Sequence, residues 1–296
     1  MSVAVEDRAI NPKPRNRYHY APRNPDFTID QDWSSYSAEE HDRWDRLFKR
    51  SRAILHDRAC DEFVAMMQAL KLSESGIPNM DRLSDRLEKL TGWRVVPVAE
   101  LVPDEVFFSH LANRRFPAGA FIRSEQEMDY LEEPDIFHDV FGHVPLLANP
   151  VYADFMQAYG KGGQRAMSLG RLPNLARLYW YTVEFGLIRN GDRLNIYGAG
   201  IVSSRGESLF ALDDPSPNRI AFDMERVMRT HYRIDDYQQV YFVIDSFEQL
   251  LHATLDTDFA PLYAKLETLP DLGVTDIVPE DRVITRGSQD YALAKV

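Results

Sequence analysis

A single cysteine, Cys60, occurs among 296 residues. No disulfide can form within the chain, and any metal site must be assembled from His, Asp and Glu. Long apolar runs are missing too. No stretch reaches the ~20 residues that span a bilayer, and the opening MSVAVEDRAINPKPRNRYHY lacks the apolar core of a secretory signal. Positive charge is scarce: 34 Lys and Arg stand against 46 Asp and Glu, a net charge of -12. That balance gives no general footprint for nucleic acid or an anionic membrane; only Lys13, Arg15, Arg17 and Arg23 gather into a mild basic patch. Gly/Ser linkers, low-complexity tracts and fixed-period repeats are absent. These deficits point to a cytoplasmic protein with neither nucleic acid nor membrane as partner.

What is present reads as globular, with 44% hydrophobic and 27% charged residues. Residues 1–35, rich in Pro, Asn and Arg, read as an extended N-terminal arm. SAEE at 37–40 fits a capping box, and Trp44, Leu47, Phe48, Ile54, Phe63, Met66 and Leu70 follow at helical spacing. Asn79 and Gly92 bracket a second helix with a stripe of Leu83, Leu87 and Leu90. WRVVPV predicts a short strand near an edge, DEVFFSHL a helix and FPAGAFIR another extended piece. Helices are expected at 134–143, 149–160, 171–189, 245–255 and 258–268. LNIYGAGIVSS fits a strand and turn, and VYFVID a strand. GKGGQR at 160–165 lacks the order of a phosphate loop and reads as a helix end followed by a turn. Cys60 reads as a small core residue. Without visible βαβ alternation, the fold class is mainly α, an α+β fold with minor short strands. One main domain spans 36–270, and a tail with short β pieces such as RVITR spans 271–296.

The chemistry concentrates in PDIFHDVFGH, residues 134–143. His138 and His143 stand five apart, and five residues of α-helix turn the chain to positions about 140° apart. Sharing a ligand therefore requires the helix to loosen at its last turn, as Gly142 and Pro145 suggest. The spacing is not that of HExxH, and Asp139 stands where a zinc protease has its glutamate. A third ligand is available in LARLYWYTVEFGLIRNG, where Glu184 lies among apolar and aromatic residues. A carboxylate there needs a cation, an arginine or hydrogen bonds. Two imidazoles and one carboxylate on one face of an octahedron leave three positions open, the arrangement of non-haem Fe(II) oxygenases. Spacing and burial alone leave the metal reading open beside a structural one, in which the histidines pack and Glu184 pairs with an arginine.

EEPDIFHDVFGHVPLL, then LYWYTVEFGL and YGAGIVSS, closely resemble the pterin-dependent aromatic amino acid hydroxylases, most of all their short bacterial phenylalanine 4-hydroxylases, over about residues 95–255. The resemblance implies a helical basket as catalytic domain, Fe(II) and a tetrahydropterin (tetrahydrobiopterin or a bacterial equivalent) as cofactors, and conversion of L-phenylalanine and O2 to L-tyrosine with a reduced pterin. It implies His138, His143 and Glu184 as iron ligands, and Arg123 on the substrate carboxylate, where a guanidinium fork suits both oxygens. Trp180 and Ser203 would line the amino acid site, Phe107 would stack on the pterin, and Tyr179 would lie near pterin and iron. Nothing resembles the regulatory domain or tetramerisation helix of the animal enzymes, so a monomer is expected.

The chain departs from the family pattern at Asp139, often Glu in the animal enzymes, and at Leu131 and Glu132, often Thr-Pro. Ile234 matches a position that is apolar in phenylalanine hydroxylases and Asp in tyrosine hydroxylases, which favours phenylalanine; hydroxylation of tryptophan or tyrosine stands as the alternative. Rival readings are a zinc-dependent hydrolase and a helical interaction module with packed histidines.

Overall fold

The computed structural model describes residues 16–295 except 74, 130 and 132. The first fifteen residues of the expected arm, with Lys13 and Arg15, and Glu132 lie outside the described residues.

Local signals start and stop several helices. The Ser37 side chain accepts from the Glu40 amide while Glu40 returns to the Ser37 amide, opening the helix Ala38–Leu55. Its Trp44, Leu47 and Phe48 are buried. Asn79 caps Met80–Thr91, and Gly92 ends it in the left-handed region at φ 76°. Leu83 and Leu87 are buried there, but Leu90 is exposed, because the last turn runs past the core. Cys60 is buried at the start of the helix Asp61–Ala69.

Two sheets complete the framework. In the first, β1 (Arg94–Val98) lies parallel to β2 (Arg115–Gly119), joined by the helix Asp104–Ala112. This is a βαβ unit, contrary to the sequence expectation. Its five-residue strands, one holding Pro117 and Gly119, are too short for alternation to show. The second sheet runs β4 (Arg193–Ile196), β3 (Leu187–Asn190), β6 (Val240–Ile244), β5 (Asn218–Ala221) and β7 (Val283–Thr285). Central β6 is buried along its whole length, which explains its unbroken apolar run VYFVI. Helix is about 49% and strand about 12% of the chain, so the fold is a mainly helical α+β.

The flanking segments are less separate than the sequence suggests. Residues 16–35 pack on the body: Tyr18 and Ile29 are in the core, and the Ile29 amide donates to Pro97 O, covering β1. The tail contributes β7 and a short helix, Asp290–Leu293. Two helical expectations and one of a strand and turn also need correction. The helix expected at 149–160 runs Pro150–Ser168, straight through GKGGQR. A Cβ on Gly163 would lie 1.9 Å from Phe108 Cδ1, and one on Gly160 2.5 Å from Ala112 N; these two glycines permit close helix packing rather than a turn. The helix expected at 171–189 is α-helical only over Leu172–Tyr179, and LNIYGAGIVSS is β4 followed by a short helix, Ala199–Val202.

Candidate metal and substrate site

Phe137–His143 forms a π-helical turn rather than the loosened end of an α-helix. Bonding from i to i+5 widens the turn, so residues five apart come round toward one face. That answers the 140° problem over the whole segment. A Cβ on Gly142 would sit 2.9 Å from Ala199 O, so glycine lets this turn pack against the helix Ala199–Val202. Glu184 ends a second π-helical turn, Trp180–Glu184, in which the Phe185 amide donates to Trp180 O at 2.8 Å.

Across the gap between these turns, His138 Nε2 lies 3.2 Å from His143 Nε2, and His143 Nε2 lies 3.3 Å from Glu184 Oε1. His138 Nε2 lies 3.7 Å from Glu184 Oε2. Bonds of about 2.1 Å meeting at right angles would hold their donor atoms about 3.0 Å apart, so the three fit one cation. Ser203 strengthens the fit. Its hydroxyl donates to Ala199 O at 2.7 Å, and so accepts from His138 Nδ1 at 2.9 Å. The proton is thereby held on Nδ1 and the Nε2 lone pair faces the gap. Ser203, expected at the amino acid site, touches the candidate ligand His138.

The electrostatics agree. Burial pushes His138 down to about 4, leaving a neutral imidazole at neutral pH, against the opposing pull of Glu184. Burial would raise Glu184, but the neighbouring imidazoles, His143 foremost, hold it at about 2. Its neighbours here are histidines, not an arginine. The His138 lone pair and the Glu184 carboxylate thus face His143 Nε2 across the gap, and His143 Nδ1 is buried with no hydrogen-bond partner among the described residues. This donor set suits a divalent cation.

Around it, Arg123 is buried and clamps Asp135: Nε donates to Oδ2 at 2.9 Å and Nη2 to Oδ1 at 2.8 Å. Asp135 Oδ1 also accepts the His138 amide at 3.0 Å, linking the arginine to the metal turn. Phe107 meets Tyr179 edge-on at 5.9 Å, and Tyr179 lies 6.2 Å from the His143 ring, nearly parallel to it. Trp180 stacks with Phe185 at 5.6 Å and with Tyr232 at 4.8 Å. Asp139 accepts the Gly119 amide at 2.7 Å, and burial raises its carboxyl to about 7.

The family model described as biopterin-dependent aromatic amino acid hydroxylase matches residues 27–260. The chain belongs to that family. A phenylalanine-4-hydroxylase of Caulobacter vibrioides is 65% identical over 91% of this hydroxylase and 92% of its own length. One from Ralstonia nicotianae is 58% identical over 90% and 85%. The iron- and phenylalanine-bound crystal structure of phenylalanine hydroxylase from Chromobacterium violaceum superposes with a TM-score of 0.85, at 52% identity, covering 89% of this hydroxylase and 96% of that chain.

Within this hydroxylase the site brings together His138, His143, Glu184 and Ser203, with Tyr179 beside His143 and Arg123 tied to the His138 turn through Asp135. Ile234 is not among them: it is 64% exposed, on the segment that carries Tyr232. Sequence reasoning missed Asp135 and Tyr232. Asp135 left one signal, an acid three residues before His138, the spacing at which a carboxylate meets an early amide of a helical turn. Among the described residues, no helix is long and apolar enough to cross a membrane.

Proposed function

We propose that this hydroxylase is a phenylalanine 4-monooxygenase that converts L-phenylalanine, O2 and a tetrahydropterin to L-tyrosine and a hydroxylated pterin, one oxygen atom going to each. The observation that carries the metal assignment is the convergence of His138 Nε2, His143 Nε2 and a Glu184 oxygen on one point. These residues would hold Fe(II), which when bound supplies open coordination positions for O2 chemistry with the reduced pterin.

The chain's own residues bind, orient and exclude water. Asp135 occupies the Nε edge of Arg123, leaving the Nη1–Nη2 edge for the substrate carboxylate. Ser203 keeps His138 in the tautomer that presents Nε2. Trp180 offers an apolar wall to the flat substrate ring, and Phe107 and Tyr179 do the same for the flat pterin. The catalytic unit is residues 36–270, a basket of helices around the metal turns, with 16–35 and 271–295 packed on it as flanks. The enzyme acts as a monomer in the cytoplasm.

The test is tyrosine formation with added Fe(II), a tetrahydropterin and each aromatic amino acid in turn, for wild type and Glu184→Gln. Wild type should form tyrosine from phenylalanine, and the variant should bind iron weakly and form none. Turnover by the variant at the wild-type rate would remove Glu184 from the ligands.

A further inference from the structure

Segment 231–239 leads from the helix Met224–Met228 into β6 with no regular structure beyond a bridge at Thr230. It carries Tyr232, whose ring lies on Trp180 at 4.8 Å and 21°. Irregular backbone placing an aromatic against the site needs anchors: the His231 amide donates to Leu272 O at 2.9 Å, Tyr181 Oη donates to His231 O, and the C-terminal residues supply others. Asp236 Oδ1 accepts from Tyr291 Oη at 2.7 Å, and Asp236 Oδ2 accepts from Lys295 Nζ at 2.7 Å and Arg233 Nη1 at 3.0 Å. The Tyr291 ring packs on Tyr237 and Phe210, at 5.7 and 4.9 Å. The Gln238 amide donates to Glu207 Oε1 at 3.2 Å, and Gln289 Nε2 reaches Gln239 O at 3.3 Å.

A four-residue helix such as Asp290–Leu293 does not form on its own. Here the Tyr291 amide donates to Ser216 Oγ at 3.0 Å, and Gln289 Nε2 donates to Ser216 O at 3.1 Å. The C-terminal segment is therefore fastened to the body on one side and grips the Tyr232 segment on the other. Burial would raise the Asp236 carboxyl, but Lys295 and Tyr291 hold it below its ordinary range, so the joint is ionised and charge-assisted at neutral pH.

We propose that Tyr291 and Lys295, acting through Asp236, are positioning residues that keep Tyr232 flat on Trp180 and thereby set the affinity of the amino acid site for its aromatic substrate. The inference rests on the phenylalanine reading above. It assigns the last residues a part in substrate binding although none of them touches the metal site.

The test compares wild type with Tyr291→Ala, a deletion of 289–296, and Tyr291→Phe, which keeps the ring but removes the donor to Asp236. Two readouts are taken on iron-loaded enzyme: KM against kcat for phenylalanine, and native tryptic cleavage after Arg233. Loss of one aromatic pairing predicts a KM raised by up to about tenfold for the deletion and Tyr291→Ala, with kcat and iron content within about twofold. Cleavage after Arg233 should quicken in step, and Tyr291→Phe should fall between. Unchanged KM in the deletion overturns the proposal, whether or not cleavage quickens. So does a raised KM with cleavage unmoved, or a loss confined to kcat. Should the deletion fail to fold, wild-type values of both readouts in Tyr291→Phe and Tyr291→Ala overturn it equally. Failure of wild type to hydroxylate phenylalanine would instead sink the functional reading, and cleavage, which needs no turnover, would still report on the clasp.

Discussion

Ser203 shows how much one hydroxyl decides. It donates to Ala199 O and accepts from His138 Nδ1, and so fixes which nitrogen faces the metal turn. Ser203→Ala removes that constraint while leaving the three donors in place, and second-layer partners of metal-bound histidines typically govern affinity by about 10–100-fold. An anaerobic Fe(II) titration should show a loss in that range; wild-type affinity would contradict the assignment. The three candidate ligands could be singled out in the sequence, because a lone carboxylate in LYWYTVEFGL must find a cation or donors and PDIFHDVFGH offers two imidazoles, but spacing and burial left a metal and a structural reading side by side. The hold of Asp135 on Arg123 was not. Twelve residues separate them, and no spacing rule says which carboxylate a buried guanidinium meets.

At the scale of elements, capping residues, Gly92 among them, gave reliable boundaries, and the glycines of GKGGQR did not. Ser37, Asn79 and Gly92 mark ends through their own hydrogen bonds or dihedrals, so they can be read locally. Gly163 has a tertiary reason: the Phe108 ring occupies the space of its Cβ. Gly142 likewise has a tertiary reason, since Ala199 O lies 2.9 Å from where its Cβ would be. Two glycines of one helix should consequently respond with opposite sign. Gly162→Ala, with nothing within 4 Å of its Cβ, should stabilise by about 1 kcal/mol through helix propensity. Gly163→Ala should destabilise by about 2 kcal/mol from overpacking against Phe108. Urea unfolding of both variants checks this; equal shifts would show that Phe108 yields freely.

For the molecule as a whole, the flanks are structural parts: residues 16–35 cover β1, and β7 pairs with β5 at the edge of the second sheet. Composition cannot reveal this, because proline- and asparagine-rich sequence gives no period even when its few aromatics are buried. Global stability should also carry the mark of Glu207. Burial raises its carboxyl to about 7, although Tyr241 Oη and the Gln238 amide both donate to Oε1. A raised carboxyl favours the folded state at low pH. Between about 4.3, where the unfolded chain ionises, and about 7, folding takes up a proton, so stability falls as pH rises. Glu207→Gln keeps an Oε1 acceptor and cannot ionise. Its stability relative to wild type should therefore rise between pH 4 and pH 8, by the order of 3 kcal/mol. Thermal or urea midpoints at several pH values measure this, and a pH-independent difference would refute it.

The most direct measurement is a crystal structure of the Fe(II)-loaded protein, with anomalous data collected on both sides of the iron absorption edge. One iron peak should lie about 2.1 Å from His138 Nε2, His143 Nε2 and a Glu184 oxygen. A peak elsewhere, or one lacking any of these three donors, would contradict the account.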